Sequence, residues 1–115
     1  MTTQAGQLGE LEQRYRSLTT QLAELGFIST GTILQVHTSC GRPGCRCMAD
    51  RPRRHGPYIQ LTQKIQGKTR TYRLTTEQAR LLSDYIANYR RLQQLIKQMH
   101  ELSQVAINHQ LPGLR

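Results

Sequence analysis

Hydrophobic positions near the start of the chain recur at spacings of three and four residues. They are Leu8, Leu11, Tyr15, Leu18, Leu22 and Leu25. This spacing is typical of a helix with one apolar face, and it also forms the heptad seam through which two helices pair. Gly26 follows the last of these positions and is a candidate stop for the helix. We predict a helix over residues 8–25 that packs against another helix.

The middle of the chain favours strands. Residues 30–38 (TGTILQVHT) are rich in β-branched side chains, and residues 58–64 and 69–74 have the same character. A short connection that contains Gly67 separates the last two segments and predicts a hairpin turn. We therefore expect a three-stranded antiparallel sheet within residues 30–74.

A second, longer helix is predicted after the strands. Thr75 and Gln78 have the spacing of a capping box, which marks a helix start. The apolar positions that follow are Leu82, Tyr85, Tyr89, Leu92, Ile96, Met99, Leu102 and Ala106. They predict one helix of roughly 30 residues within 76–108, about 45 Å long at 1.5 Å per residue, followed by a flexible tail over 109–115. Because strands span only about 20 Å, the first helix and a second copy of the chain are expected to cover the overhang.

Together these elements predict an α+β fold, with 1–115 as a single domain. The N-terminal helix and the long C-terminal helix form a coiled-coil-like pair beside the sheet. Only 37% of the residues are hydrophobic and none is Trp, so we expect a thin core that depends on a metal, a cross-link or a partner chain. No apolar run is long enough for a membrane span, and no signal-peptide pattern is present, so the expected location is cytoplasmic.

All three cysteines lie within eight residues, between the first two predicted strands. They are Cys40, Cys45 and Cys47, and His55 follows them. Three thiolates and one imidazole complete a tetrahedral Zn²⁺ shell, and the glycines and the proline between the cysteines allow the chain to turn around an ion. We predict a structural zinc knuckle with these four ligands.

Other interpretations of this segment remain open. His37 precedes Cys40 by three residues and could replace His55, or water or a second protomer could supply the fourth ligand. The cysteines could instead be small buried apolar residues, or reactive thiols whose thiolate form the nearby arginines favour. The sequence contains no phosphate-binding loop and no paired carboxylates, so we predict no enzyme active site.

The net charge of +9 is concentrated in the middle of the chain. Residues 31–74 contain nine Lys and Arg against one Asp, a local excess that indicates a polyanionic partner. The candidate nucleic-acid-binding residues are Arg42, Arg46, Arg51, Arg53, Arg54, Lys64, Lys68, Arg70 and Arg73. Arginine forks match phosphate oxygens, and strand alternation places Arg70 and Arg73 on opposite faces. Tyr58 and Tyr72 either stack on bases or pack within the sheet.

Four motifs of this chain resemble a known family. They are C-G-R-P-G-C-R-C, H-G-P-Y, K-T-R-T-Y and N-Y-R-R-L. The pattern is similar to that of small uncharacterised bacterial and archaeal proteins with a C-G-x-P-x-C-R-C…H-G-P-Y signature, often encoded near transposases. The resemblance implies an accessory DNA- or RNA-associated protein of a mobile element. Arg42 stands where lysine is usual, and Ile59 where a second tyrosine is common.

The leading hypothesis is a small basic zinc protein that binds nucleic acid, with DNA the expected ligand, and forms a homo-oligomer through its helices. One alternative is an interaction subunit whose long helix docks on a transposase-like or other nucleic-acid enzyme. A further alternative is a thiol redox or metal sensor.

Overall fold

The structure, a computed structural model, describes residues 4–38 and 55–113. The elements are α1 (Gln4–Ala23), β1 (Thr32–Thr38), β2 (His55–Ile65), β3 (Lys68–Leu74) and α2 (Thr76–Gln110). Their order confirms the predicted α+β arrangement of a helix, a three-stranded antiparallel sheet and a long helix. The predicted zinc knuckle, with Cys40, Cys45, Cys47 and the arginines between residues 42 and 54, lies outside the described residues.

The chain divides into two compact units. The sheet unit is Ser29–Ile86, and the helical unit combines Met1–Ile28 with Ala87–Arg115. The prediction of a single domain over residues 1–115 stays a prediction. Within residues 4–38 and 55–113, no helix is long and apolar enough to cross a membrane.

In the sheet unit, the strands follow the order β1-β2-β3, with both pairs antiparallel. Leu61 of β2 lies opposite Ile33 on one side and Tyr72 on the other, and Gln60 lies opposite Leu34 and Arg73. Because successive side chains of a strand point to opposite faces, this register assigns each residue to one of two faces. Leu61, which is only 3% exposed, marks the covered face.

The turn between β2 and β3 consists of Gln66 and Gly67. Both have positive φ angles, 51° and 79°, as a type I′ turn requires. This turn type matches the right-handed twist of the flanking strands. The antiparallel pairing of β2 with β3 confirms the predicted hairpin. Its two-residue loop makes Ile65 and Lys68 directly opposed.

Before β1 the chain passes very close to β2. Gly31 has a φ of 127°, and a Cβ there would lie 2.9 Å from Leu61 Cδ1 and from the Thr62 carbonyl oxygen. The side chain of Gln63 holds the same segment, because its Nε2 donates to the Thr30 carbonyl at 2.9 Å and to Ser29 Oγ at 3.1 Å. Glycine is therefore needed where the chain enters the sheet.

The first turn of α2 contains the predicted capping box. The Thr75 amide donates to Gln78 Oε1 at 2.9 Å, and the Gln78 amide donates to Thr75 Oγ1 at 3.1 Å. These two bonds satisfy amides that the helix itself leaves without partners. In the same unit, the Ser29 amide donates to the Tyr85 carbonyl at 3.0 Å, and Ile86 is buried.

In the helical unit, α1 and α2 lie side by side and run antiparallel. Leu8 and Leu11 line a groove with Ala106 and Gln110, whereas Gln21, farther along α1, accepts a hydrogen bond from Arg91. The predicted helix–helix contact is confirmed. At 1.5 Å per residue, the 20 residues of α1 span about 30 Å and the 35 residues of α2 about 52 Å. α2 ends at Gln110, two residues beyond the predicted end at 108.

The end of α1 differs from the expected glycine cap. The amides of Glu24 and Leu25 donate to carbonyls three residues earlier, at 3.2 Å, which tightens the last turn. Gly26 has no left-handed φ. A Cβ on Gly26 would lie 3.2 Å from Nδ2 of Asn88, which donates to the Phe27 carbonyl at 2.8 Å. Gly26 therefore leaves room for Asn88 instead of ending the helix.

The apolar face of α2 also differs from the prediction at one point. The spacing of apolar residues predicts a buried Ile96, but this residue is 54% exposed, whereas the neighbouring Leu95 is completely buried. The half-buried residues Leu92, Met99 and Leu102 continue the face at spacings of three and four from Leu95. Two adjacent apolar residues fit the helical period about equally well, so only packing in the helical unit decides which one turns inward.

Candidate nucleic-acid interface

The β2–β3 hairpin carries four of the predicted nucleic-acid-binding residues. Lys64, Lys68, Arg70 and Arg73 are all exposed. β3 is an edge strand of the sheet, so its side chains are accessible from beside the sheet as well as from its faces. From Lys68 to Arg73 the strand advances five residues, about 17 Å. The hairpin thus presents positive charge along its whole length.

Three of these cations have no partner among the residues that the structure describes. Within 4–38 and 55–113, the side chains of Lys64, Lys68 and Arg70 form neither a hydrogen bond nor an ion pair. A surface cation without a carboxylate neighbour attracts anions from solution, and the attraction is screened by salt. The described part of the chain therefore leaves these three charges available to an anionic ligand.

Arg73 differs from the other three because it lies against an aromatic ring. Its guanidinium carbon is 3.7 Å from the centroid of the Tyr58 ring. Arg73 is opposite Gln60, and Tyr58 is two residues from Gln60 on the same face, so the two side chains are diagonal neighbours. The contact is a cation–π interaction. One face of the Tyr58 ring is therefore occupied by Arg73, which itself remains exposed.

The register divides the basic residues between the two faces of the sheet. Arg70 and Tyr72 share the face that carries Leu61, whereas Arg73 shares the opposite face with Lys64 and Thr71. This confirms the predicted alternation along β3. The four cations therefore do not form one flat patch, and they surround the edge of the hairpin instead.

The H-G-P-Y motif begins β2 with a β-bulge. Thr38 lies opposite His55, and Val36 lies opposite Tyr58, so Gly56 and Pro57 together face the single residue His37. Proline has no amide to donate to the ladder, which suits it to a bulge. The backbone positions that bracket residues 39–54 are therefore adjacent, at the end of the sheet where Tyr58 and Arg73 lie. The side chain of His55 is outside the described part of the chain.

The predicted metal ligands are not brought together by the residues that the structure describes. His37 is exposed on β1, and the three cysteines fall between residues 39 and 54. In the described ranges, no group of three or more His, Cys, Asp or Glu side chains is placed to hold a metal ion. The zinc site thus stays a prediction from the sequence.

The hairpin, the bulge and the cysteine segment all fall within the match to a known family. A family model matches residues 8–83. The chain belongs to the DUF6788 family. Its members share a domain of unknown function. No curated protein and no solved structure matches the chain. The DUF6788 match begins within α1, at residue 8, and includes the sheet and the first turns of α2, while α2 beyond residue 83 lies outside it.

The contact between Tyr58 and Arg73 is not among the expectations drawn from the sequence, although it follows from the hairpin register. A two-residue loop at Gln66 and Gly67 pairs residues whose numbers sum to 133, which makes residues 58 and 73 diagonal neighbours. Once the turn is known to have a two-residue loop, the register alone predicts that Tyr58 and Arg73 are neighbours.

Proposed function

We propose that this protein binds nucleic acid through the β2–β3 hairpin together with the arginine-rich segment 40–58. The observation that carries the proposal is the set of exposed cations Lys64, Lys68 and Arg70, which have no partner within residues 4–38 and 55–113. Phosphate contacts supply most of the affinity of a nucleic-acid-binding protein and require such free cations.

The distribution of charge favours a polyanion over a small anion. Residues 31–74 contain nine Lys and Arg against one Asp, and the hairpin alone extends its charge over about 17 Å. The five arginines of the cysteine segment are Arg42, Arg46, Arg51, Arg53 and Arg54. The residues that flank this segment, Thr38 and His55, are paired at the end of the sheet where Arg73 lies. DNA is the expected ligand, and the mobile-element setting rests on the signature alone.

A Zn²⁺ ion bound by Cys40, Cys45, Cys47 and His55 is part of this proposal. The pairing of Thr38 with His55 supports it, because it brings the backbone of one proposed ligand next to the residue that precedes the first cysteine by two positions in the sequence. The donor set, three thiolates and an imidazole, suits a closed structural site. Its role would be to hold the neighbouring arginines in place.

The test is a titration of DNA and RNA at two salt concentrations with matched charge-reversal variants. Lys68→Glu/Arg70→Glu removes two hairpin cations, and Arg90→Glu/Lys97→Glu changes the net charge equally at exposed positions of α2. We expect the hairpin variant to bind at least tenfold more weakly. The slope of the logarithm of the binding constant against the logarithm of the salt concentration should fall in magnitude by about 2, roughly one for each phosphate that the variant no longer neutralises.

The control variant should stay within about twofold of the unmodified protein. If both variants lose the same affinity, nucleic-acid binding depends on the net charge of the protein and not on the hairpin cations. Absence of binding at low salt, or binding that salt leaves unchanged, would contradict the proposal as a whole.

A second candidate function is that of an interaction subunit. It is favoured by large apolar side chains on the helical unit, since Phe27 is 77% exposed and Ile96 and Val105 are exposed on α2. Such residues are typical of surfaces that contact another protein or a second copy of the chain. Co-purification with a larger protein in the absence of nucleic acid would favour this function over the first.

A further inference from the structure

On the face of the sheet opposite Leu61, six of ten residues are exposed and the other four are half-buried, and we call it the open face. Leu34, in the middle of its first strand, is 53% exposed. The register places ten residues on this open face: Thr32, Leu34, Val36, Tyr58, Gln60, Thr62, Lys64, Thr69, Thr71 and Arg73. An antiparallel sheet can leave one face solvated, and this one combines an aromatic ring, hydroxyl groups and two cations with no carboxylate.

The residues of the open face are ordered along the strands. Tyr58 and Arg73 lie near the end of the sheet from which residues 39–54 depart, and Lys64 lies at the hairpin end. Six residues separate Tyr58 from Lys64, which corresponds to about 20 Å. The hydroxyls of Thr62 and Thr71, which are cross-strand partners, lie between them. The face therefore offers a stacking group at one end, hydrogen-bonding groups in the centre and a cation at the other end.

The Tyr58–Arg73 contact places the guanidinium over the Tyr58 ring. With its carbon 3.7 Å from the ring centroid, the group is at van der Waals distance above the ring. A guanidinium is planar and stacks on one side without losing its other side or its edge donors. Because Arg73 is exposed, a further planar group can lie on its outer side.

We propose that the open face binds single-stranded nucleic acid and that an unpaired base stacks on the outer side of Arg73. This inference rests on the proposed function and names its substrate class. Bases inside a duplex already stack on each other, so their faces are not accessible, whereas single strands offer theirs to aromatic and arginine side chains. The major groove admits a helix or a two-stranded ribbon, and the open face is three strands wide.

The test compares three ligands of equal length, about 12 nucleotides, a size within the range that single-strand-binding folds cover. They are a single strand, the duplex of the same sequence and an abasic strand with the same phosphates. The variants are Arg73→Lys, which keeps the charge and removes the planar group, and Tyr58→Leu, which removes the ring that supports it. Tyr58→Phe keeps the ring and is the control.

The unmodified protein should bind the single strand more tightly than the duplex. Arg73→Lys and Tyr58→Leu should weaken single-strand binding by roughly 5- to 100-fold, the range that loss of one stacked base produces. Tyr58→Phe should bind as the unmodified protein does. On the abasic strand, Arg73→Lys should bind equally well, since no base is present to stack.

Each other outcome overturns the inference in a distinguishable way. An equal loss for Arg73→Lys on the abasic strand would mean that Arg73 contacts phosphate, and equal or tighter binding of the duplex would assign duplex as the substrate. A dimer that Leu34→Lys dissociates, without any change in nucleic-acid affinity, would mean that a second copy covers the open face. In all these cases the proposed function would stand, because salt-sensitive binding through Lys68 and Arg70 would still be observed. If the protein bound none of the three ligands, the proposed function would be wrong as well.

Discussion

Gly31 occupies a position where the backbone and its neighbours both exclude a side chain. Its φ of 127° is a conformation that L-residues rarely adopt, and a Cβ would lie 2.9 Å from a backbone oxygen that cannot rotate away. Gly67 shares only the first property, because nothing lies within 4 Å of a Cβ built there. Gly9 has neither property, since it lies within α1 with open space around it. Comparing these three glycines therefore distinguishes the effect of backbone strain from the effect of steric crowding.

The alanine variants of these glycines should therefore differ in stability. Gly31→Ala should lower the free energy of unfolding by about 2–4 kcal/mol, from backbone strain plus overpacking. Gly67→Ala should cost about 1–2 kcal/mol from strain alone. Gly9→Ala should stabilise by about 0.5–1 kcal/mol, because alanine favours helix interiors. Urea denaturation of the three variants measures the order, and a Gly31 cost no larger than that of Gly67 would contradict the described approach of the chain to β2.

At the level of elements, α2 shows how a helix combines local and tertiary signals. Its start is defined by the reciprocal hydrogen bonds of Thr75 and Gln78, which involve residues only three apart. Its buried face, in contrast, is defined by α1, which lies antiparallel to its second part. Leu95 and Ile96 are adjacent and similarly apolar, yet one is completely buried and the other 54% exposed.

Alanine substitutions at these two positions should have unequal effects. Leu95→Ala should destabilise the protein by about 2–5 kcal/mol, because it removes a fully buried side chain and leaves a cavity. Ile96→Ala should change stability by less than about 1 kcal/mol, since the residue is largely exposed. Chemical denaturation followed by circular dichroism gives both values. A larger loss of stability for Ile96→Ala than for Leu95→Ala would mean that Ile96 is the buried residue, as the sequence predicts.

At the level of the whole molecule, the cysteine segment connects the two strands that carry the bulge. Thr38 and His55 are paired, so the segment departs from and returns to adjacent backbone positions at one end of the sheet. The buried apolar residues among those described are Leu61, Ile86 and Leu95. A bound ion would supply stability that so small a core lacks.

Metal content should follow from the proposed ligands. The purified protein should contain about one Zn²⁺ per chain, because three thiolates and one imidazole complete a single tetrahedral shell. His55→Ala should lose metal, and His37→Ala, the control at the neighbouring histidine, should retain it. Elemental analysis measures both. If His37→Ala loses zinc and His55→Ala retains it, His37 and not His55 is the fourth ligand. A metal-free protein whose cysteines alkylate rapidly would favour the reactive-thiol hypothesis.

Several features of this fold were predictable because they depend on neighbours along the chain. The Gln66–Gly67 turn and the Thr75–Gln78 capping box use residues within one turn of each other, and both are confirmed. The alternation of Arg70 and Arg73 between the two faces is a property of any strand. Predicted helix ends differ from the observed ones by a few residues, because fraying and packing set the last turn.

The sequence alone determined the α+β order, the hairpin, the start of α2 and the concentration of cations and cysteines in the middle of the chain. These features arise from local dihedral preferences, short-range hydrogen bonds and composition. Tertiary packing was needed to establish that Leu95 is buried instead of Ile96, that Gly26 leaves room for Asn88, that Gly31 is crowded, and which face of the sheet is exposed. Each depends on residues far apart in the chain, whose contacts become defined only when strands and helices have packed.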